Sequence, residues 1–213
     1  MNVESFFNEA VRGKVADAVR RAEALSRGQI VPVVVERSDP YPEVRFRGGL
    51  LLSALATGIV LALRLPLGLA ELVIVQVAAG ALGALLSLWD PIERQLAGHR
   101  AMEEAVRARA VRAFHEQGLH RTADATGVLV FASLFERRAV VLGDRGIHER
   151  IGDGEWDRAV AALVMGVRKG DPGQGFVEAI ALCGARLAEH FPRDPAARAT
   201  ANELEDAIRV ERG

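Results

Sequence analysis

Residues 48–88 restrict this chain more than any other stretch. From Gly48 to Leu88 the sequence is apolar or small, with Arg64 and Glu71 as its charged residues. As helices, Gly48–Leu63 would be about 24 Å long and Leu67–Leu88 about 33 Å, against a bilayer core of roughly 30 Å. Arg64 extends the shorter one by laying its stem along the helix with its charge among the headgroups. Arg64-Leu65-Pro66-Leu67-Gly68 is then a tight turn between two transmembrane spans. The alternative is a helical hairpin buried in a soluble protein. Soluble helices of this length carry a charged face, and neither half does.

Small residues recur every fourth position: Gly49, Ser53 and Thr57 on one span, Gly80 and Ala84, or Ala79 and Gly83, on the other. That spacing lets two helix backbones approach closely. Gln76, in mid-span, is expected to hydrogen-bond within the hairpin or to a second copy. Glu71 lies about one turn from the connecting loop, which favours an interfacial carboxylate beside Arg64 over a proton relay. Arg37, Arg45 and Arg47 precede the hairpin and Arg94, Arg100, Arg107 and Arg109 follow it, while the turn holds Arg64 alone. The positive-inside bias places both termini in the cytoplasm, as in a multi-pass protein of a bacterial inner membrane. Met1–Ala10 is polar, which predicts no secretory signal, and the lone Cys183 suits a reducing compartment.

The other residues suffice for one domain with a proper core. With 27 Lys+Arg against 28 Asp+Glu, no general nucleic-acid partner is expected. Phe7, Val11, Val15, Ala18, Ala22 and Leu25 predict a helix over about 3–26, closed by Gly28. Gln29–Glu36 reads as a buried strand, placed at an edge or broken by Pro32. Asp90-Pro91-Ile92-Glu93 has the form of a helix start with Asp90 as cap, and one helix is expected to run from there to Gln117. His99, His115 and His120 on or after it are read as solvated, since His115 and His120 do not share a helical face. Gly127–Ser133 and Arg138–Leu142 form a strand hairpin around Leu134–Arg137, and helical patterns follow at 155–169 and 175–191. Cys183 falls on the buried face of the last. The tail beyond Pro192 is polar, with at most a short helix near Glu203–Arg209. A helix-containing crossover joins the first two strands, favouring parallel pairing, and the second and third pair antiparallel. The expected architecture is a small α/β, three-layer-like domain with a short mixed sheet, interrupted by the two-helix hairpin. Its segments are 1–47, the hairpin at 48–88, 89–192, and a tail at 193–213.

Thr126–Ile147, with its strand-turn-strand-Gly-Asp pattern, resembles the central hairpin of TPM-domain proteins. So do Asp153–Lys169 and Phe176–Pro192. Glu36-Arg-Ser-Asp-Pro-Tyr-Pro42 before two spans is similar to a bacterial membrane-bound subgroup. The resemblance implies a membrane-associated accessory protein. A related thylakoid-lumen domain, linked to photosystem repair, has been assigned acid phosphatase activity, and some members bind calcium. This chain departs from the lumenal type in its expected cytoplasmic face and in carrying its anchor inside the domain.

Ligands of sheets with parallel strands favour the crevice beyond the strands' carboxyl ends. Glu36, Arg37, Ser38 and Tyr41 are therefore expected at a pocket rim, with Asp39 beside them. Asp39 and Asp144 are the catalytic candidates, although an antiparallel third strand would carry Asp144 to the opposite rim. Asp144, Asp153 and Asp157 could gather around Ca²⁺, but their spacing is no EF-hand. The plainer roles are a turn residue for Asp144 and a helix cap for Asp153. No P-loop, GxSxG, HExxH or CxxC occurs. The functions in view are an interaction or accessory module with a membrane-protein partner or a second copy, a metal-assisted phosphatase-like hydrolase, and, last, a transporter or channel subunit. Within the hairpin the polar residues to follow are Arg64, Glu71 and Gln76.

Overall fold

A computed structural model describes residues 3–122, 125–193 and 206–211. The chain forms two compact units, one holding residues up to Ser38 and from Glu103 onward, the other Asp39–Met102.

In the first unit a short 3₁₀ turn, Val3–Ser5, precedes α1 (Glu9–Leu25) and β1 (Gln29–Val35). Asn8 starts α1, its side chain accepting from Val11 N–H at 2.9 Å. The expected apolar stripe is buried at Phe7, Val15, Ala18 and Ala22, but Leu25 is 65 % exposed. Gly28 does not end the helix. Ser26 is its C-cap, and Gly28 instead packs on Leu187, where a Cβ would come within 2.9 Å.

The second unit begins with α2 (Pro42–Ala62), followed by α3 (Leu69–Leu86) and α4 (Asp90–Ala97). Alpha-helix α2 starts at Pro42, six residues before the apolar run, because proline suits a first helical turn. At 21 and 18 residues, α2 and α3 are about 31 and 27 Å long. Both are long and apolar enough to cross a membrane, and just 17 % and 6 % of their apolar windows are buried. That separates them from the core helices of a soluble protein, which are covered by neighbours. One helix over 90–117 is not what forms. Gly98 adopts φ 82°, ends α4 and separates it from α5 (His99–Glu116). Trp89, not Asp90, is the N-cap of α4, and Asp90 lies in its first turn.

Alpha-helix α5 belongs to the sheet-bearing unit from Glu103 onward. Then come β2 (Gly127–Ser133), β3 (Arg138–Gly143), α6 (Arg145–His148), a 3₁₀ turn at Asp153–Trp156, α7 (Asp157–Lys169), α8 (Pro172–His190) and β4 (Arg209–Glu211). Gly170, at φ 81°, closes α7, and Asp171 at once caps α8 by accepting from Gln174 N–H at 3.0 Å.

The sheet order is β3-β2-β1-β4, with β1 parallel to both neighbours and β3 antiparallel to β2. Side chains alternate across it as the pleat requires. Ile30, Val34, Val128, Val130 and Ala132 join the core formed with α1, α7 and α8. Val31, Val33, Val35, Leu129 and Phe131 join Val106, Ala110, Ala113 and Phe114 of α5 on the other face. Both faces are therefore covered, which is why β1 and β2 read as nearly unbroken apolar runs.

The sequence places β1 at a sheet edge or breaks it at Pro32; β1 is instead an unbroken inner strand. The explanation lies in β4, which pairs with Val33–Val35 alone, so Pro32 needs no donor on that side. Arg209–Glu211 are strand and 206–208 are not helical, so the described part of the short helix expected near Glu203–Arg209 does not form; its first residues, 203–205, lie outside the described residues.

Candidate functional site

The carboxyl end of β1 and β2 is locked by a buried carboxylate. Glu136, in the turn between β2 and β3, is 4 % exposed. One of its oxygens accepts from the Ser38 backbone N–H at 3.0 Å and the other from the hydroxyl of Ser133, the last residue of β2. Around it the parallel ladder continues past the strand ends, Leu134 N–H donating to Val35 O at 3.1 Å and Phe135 N–H to Glu36 O at 2.9 Å. The Arg37 guanidinium lies 3.9 Å from the centroid of the Phe135 ring, a cation–π contact. Glu36, Arg37 and Ser38 are thus drawn into fastening the exit of β1 to the β2–β3 turn. A lone glutamate among turn residues gives no sequence sign of this.

Asp39 and Tyr41 belong to the other unit. Asp39 accepts from Tyr41 N–H at 2.9 Å, and Tyr41, buried at φ 45°, is the N-cap of α2. This is an Asx turn that aims the chain into the first apolar helix.

Asp144 leaves β3 at the other end of the sheet. Its N–H donates to Gly127 O at 2.8 Å, beside the start of β2, and its Oδ1 accepts from Arg145 N–H at 2.7 Å as the cap of α6. Since Val35 pairs with Ser133 and Gly143 with Val128, a strand length of about 20 Å separates Asp144 from Glu36–Ser38. Asp157 is exposed in the first turn of α7. Asp153 opens the preceding 3₁₀ turn, and Gly152 is that turn's N-cap. Among the described residues no three His, Cys, Asp or Glu side chains are grouped as a metal would require. The structure does bring His115 and His120 together, their ring centroids 5.2 Å apart, because Gly118 (φ 71°) turns the chain back after α5. Both rings are exposed.

Among the described residues, Cys183 and Glu23 stand apart from their ordinary values. Burial pushes the Cys183 thiol up to about 12, in keeping with a core side chain and not a nucleophile. The Glu23 carboxyl on α1 is pushed up to about 7, mainly by burial. Its hydrogen bond from Ile30 N–H, at 2.8 Å, pulls the other way, and the nearby Asp206 adds to the rise.

Inside the hairpin the polar groups satisfy one another. Gln76 Nε2 donates to Thr57 Oγ1 at 2.6 Å, Thr57 Oγ1 donates to Ser53 O at 3.0 Å, and Ser53 Oγ donates to Gln76 O at 3.1 Å. The helices touch through their glycines. A Cβ on Gly83 would meet Gly48 O at 2.3 Å, and one on Gly49 would meet Gly80 O at 2.9 Å. Glu71 caps its own helix by accepting from Gly68 N–H, and Arg64, at φ 48°, forms the turn.

Three comparisons bear on this architecture. Among curated proteins no relative matches the chain. The solved NMR structure of the BA42 protein from the psychrophilic bacterium Bizionia argentinensis is similar over 99 % of each chain, with a TM-score of 0.61 and 20 % identity, a likeness of fold. Residues 94–186 match the family model of the TPM domain, from within α4 to within α8. That segment contains the β2–β3 hairpin, the Glu136 turn, the Asp144 cap and α7, and it is over these residues that the chain matches the TPM-domain family.

Proposed function

We propose that the protein is an inner-membrane accessory module. In this reading α2 and α3 cross the bilayer as a hairpin, both termini are cytoplasmic, and the TPM domain is held at the inner leaflet to bind a partner. The observation that carries the reading is the polarity of the hairpin. Leu50, Leu51, Leu55, Ile59, Val73, Ile74, Val77 and Leu85 are exposed, whereas Ser53, Thr57 and Gln76 bond to one another between the helices. Large apolar surface outside and polar groups turned inward suit lipid as the solvent. The charges agree, for Arg45, Arg47, Arg94 and Arg100 flank the open end of the hairpin and Arg64 alone marks the turn.

A cysteine placed at Pro66, in a Cys183→Ala background, tests this in intact cells. Labelling by an impermeant maleimide from outside, with the protein found in the membrane fraction, is the expected result. Labelling confined to opened cells, or a full-length chain soluble without detergent, would sink the topology. A phosphate-ester assay with added Ca²⁺ and Mg²⁺ tests the hydrolase alternative. Turnover that Asp144→Asn abolishes would replace the accessory reading.

A further inference from the structure

Beside the β2–β3 turn, at the carboxyl end of β2, three cations surround one concavity of the sheet-bearing unit. Arg137, Arg168 and Lys169 line a cavity of about 180 Å³ whose floor includes Phe6, Leu134 and Val167. Leu134 and Val167 are buried, 1 % and 7 % exposed, so the well reaches the apolar core while its mouth is charged. Among the described residues no carboxylate pairs with any of the three cations. Its lining is Phe6, Leu134, Val167, Gly170 and Pro172 beside the three cations, an apolar well with a cationic mouth.

Arg168 and Lys169 alone would be ordinary cations at a helix C-terminus. Arg137 is different. It ends the β2–β3 turn at φ 52°, a left-handed conformation that favours glycine, and yet the residue is an arginine beside an apolar well. Residues held in such conformations gather where a chain binds something. The size is also informative. The well is smaller than the roughly 300–1,000 Å³ of sites for drug-sized ligands and suits a single apolar side chain.

We propose that this cavity docks an acidic segment of a partner protein, with one apolar side chain in the well and flanking carboxylates on Arg137, Arg168 and Lys169. A bare inorganic anion would make no use of the apolar floor, and a neutral peptide none of the charges. The proposal rests on the accessory-module reading and names the chemistry of its partner.

The full-length protein in neutral detergent is titrated, by fluorescence anisotropy, into labelled peptides Glu-Glu-Leu-Glu-Glu, Glu-Glu-Ser-Glu-Glu and Lys-Lys-Leu-Lys-Lys. The acidic leucine peptide is expected to bind at least about 10-fold more tightly than the serine peptide, since the buried leucine is what differs. Binding should weaken with salt and be absent for the basic peptide. Arg168→Ala and Lys169→Ala, both exposed, should each weaken it. Arg137→Gly is the sharper variant, because it should raise the melting temperature while losing affinity. Equal binding of leucine and serine peptides, displacement by inorganic phosphate at millimolar concentration, wild-type affinity in Arg137→Gly, or no binding would each overturn the site. Failure here beside correct labelling at Pro66 removes the docking site alone; external labelling failing as well removes the anchored module.

Discussion

Glu23 holds a carboxyl whose burial keeps its proton into the neutral range. In the unfolded chain it titrates near the ordinary 4.5, and in the folded protein near 7. Below the lower value both states are protonated and the contribution to stability is whole. Between the two the unfolded chain ionises first, so stability falls as pH rises, and the loss is complete above the folded value. Glu23→Gln retains an acceptor for Ile30 N–H and has no charge to face Asp206. Thermal melts in detergent should therefore show the variant more stable at pH 8 by on the order of a few degrees and flatter between pH 5 and 8. A wild-type profile as flat as the variant's would contradict the buried-carboxyl account. Nothing in the sequence singles out Glu23, because its environment is made by residues as distant as Ile30 and Asp206.

At the scale of elements, the hairpin is defined by close approach. Since a Cβ on Gly83 would meet the Gly48 carbonyl oxygen at 2.3 Å, Gly83→Leu must push α2 and α3 apart. It is expected to destabilise the hairpin by about 1–3 kcal/mol, read as a lower melting temperature in detergent by circular dichroism. An unchanged melt would mean the pair is not packed through that face. The same elements show what a sequence can convey. Four-residue spacing of small residues is a local pattern that foretells the hairpin contact, and the helix-containing crossover and short turn foretell the parallel β1–β2 and antiparallel β2–β3 pairs. Three other features depend on distant partners or on one backbone angle. Gly98 splits a helix that its apolar pattern continues through, and β4 becomes strand by pairing with Val33–Val35. Glu136 acquires its role from Ser38, 98 positions away. The separation of Asp144 from Glu36–Ser38 was legible, because strand direction alone decides it.

For the whole molecule, Asp39–Met102 is a unit inserted into a domain that is discontinuous in sequence. The other unit has its own two-sided core, so replacing Asp39–Met102 by a Gly-Ser linker should leave a soluble, folded domain with native-like circular dichroism and a single sedimenting species. Complete aggregation would show that the inserted unit is needed for folding. The ring of bonds among Ser53, Thr57 and Gln76 has a further consequence. Helices that have already spent their polar groups and small-residue seam on each other offer little adhesion to passing copies in the plane of the bilayer. In the anchored reading proposed above, such a hairpin would tether without clustering, and any crowding of copies at one spot would be organised through the domain.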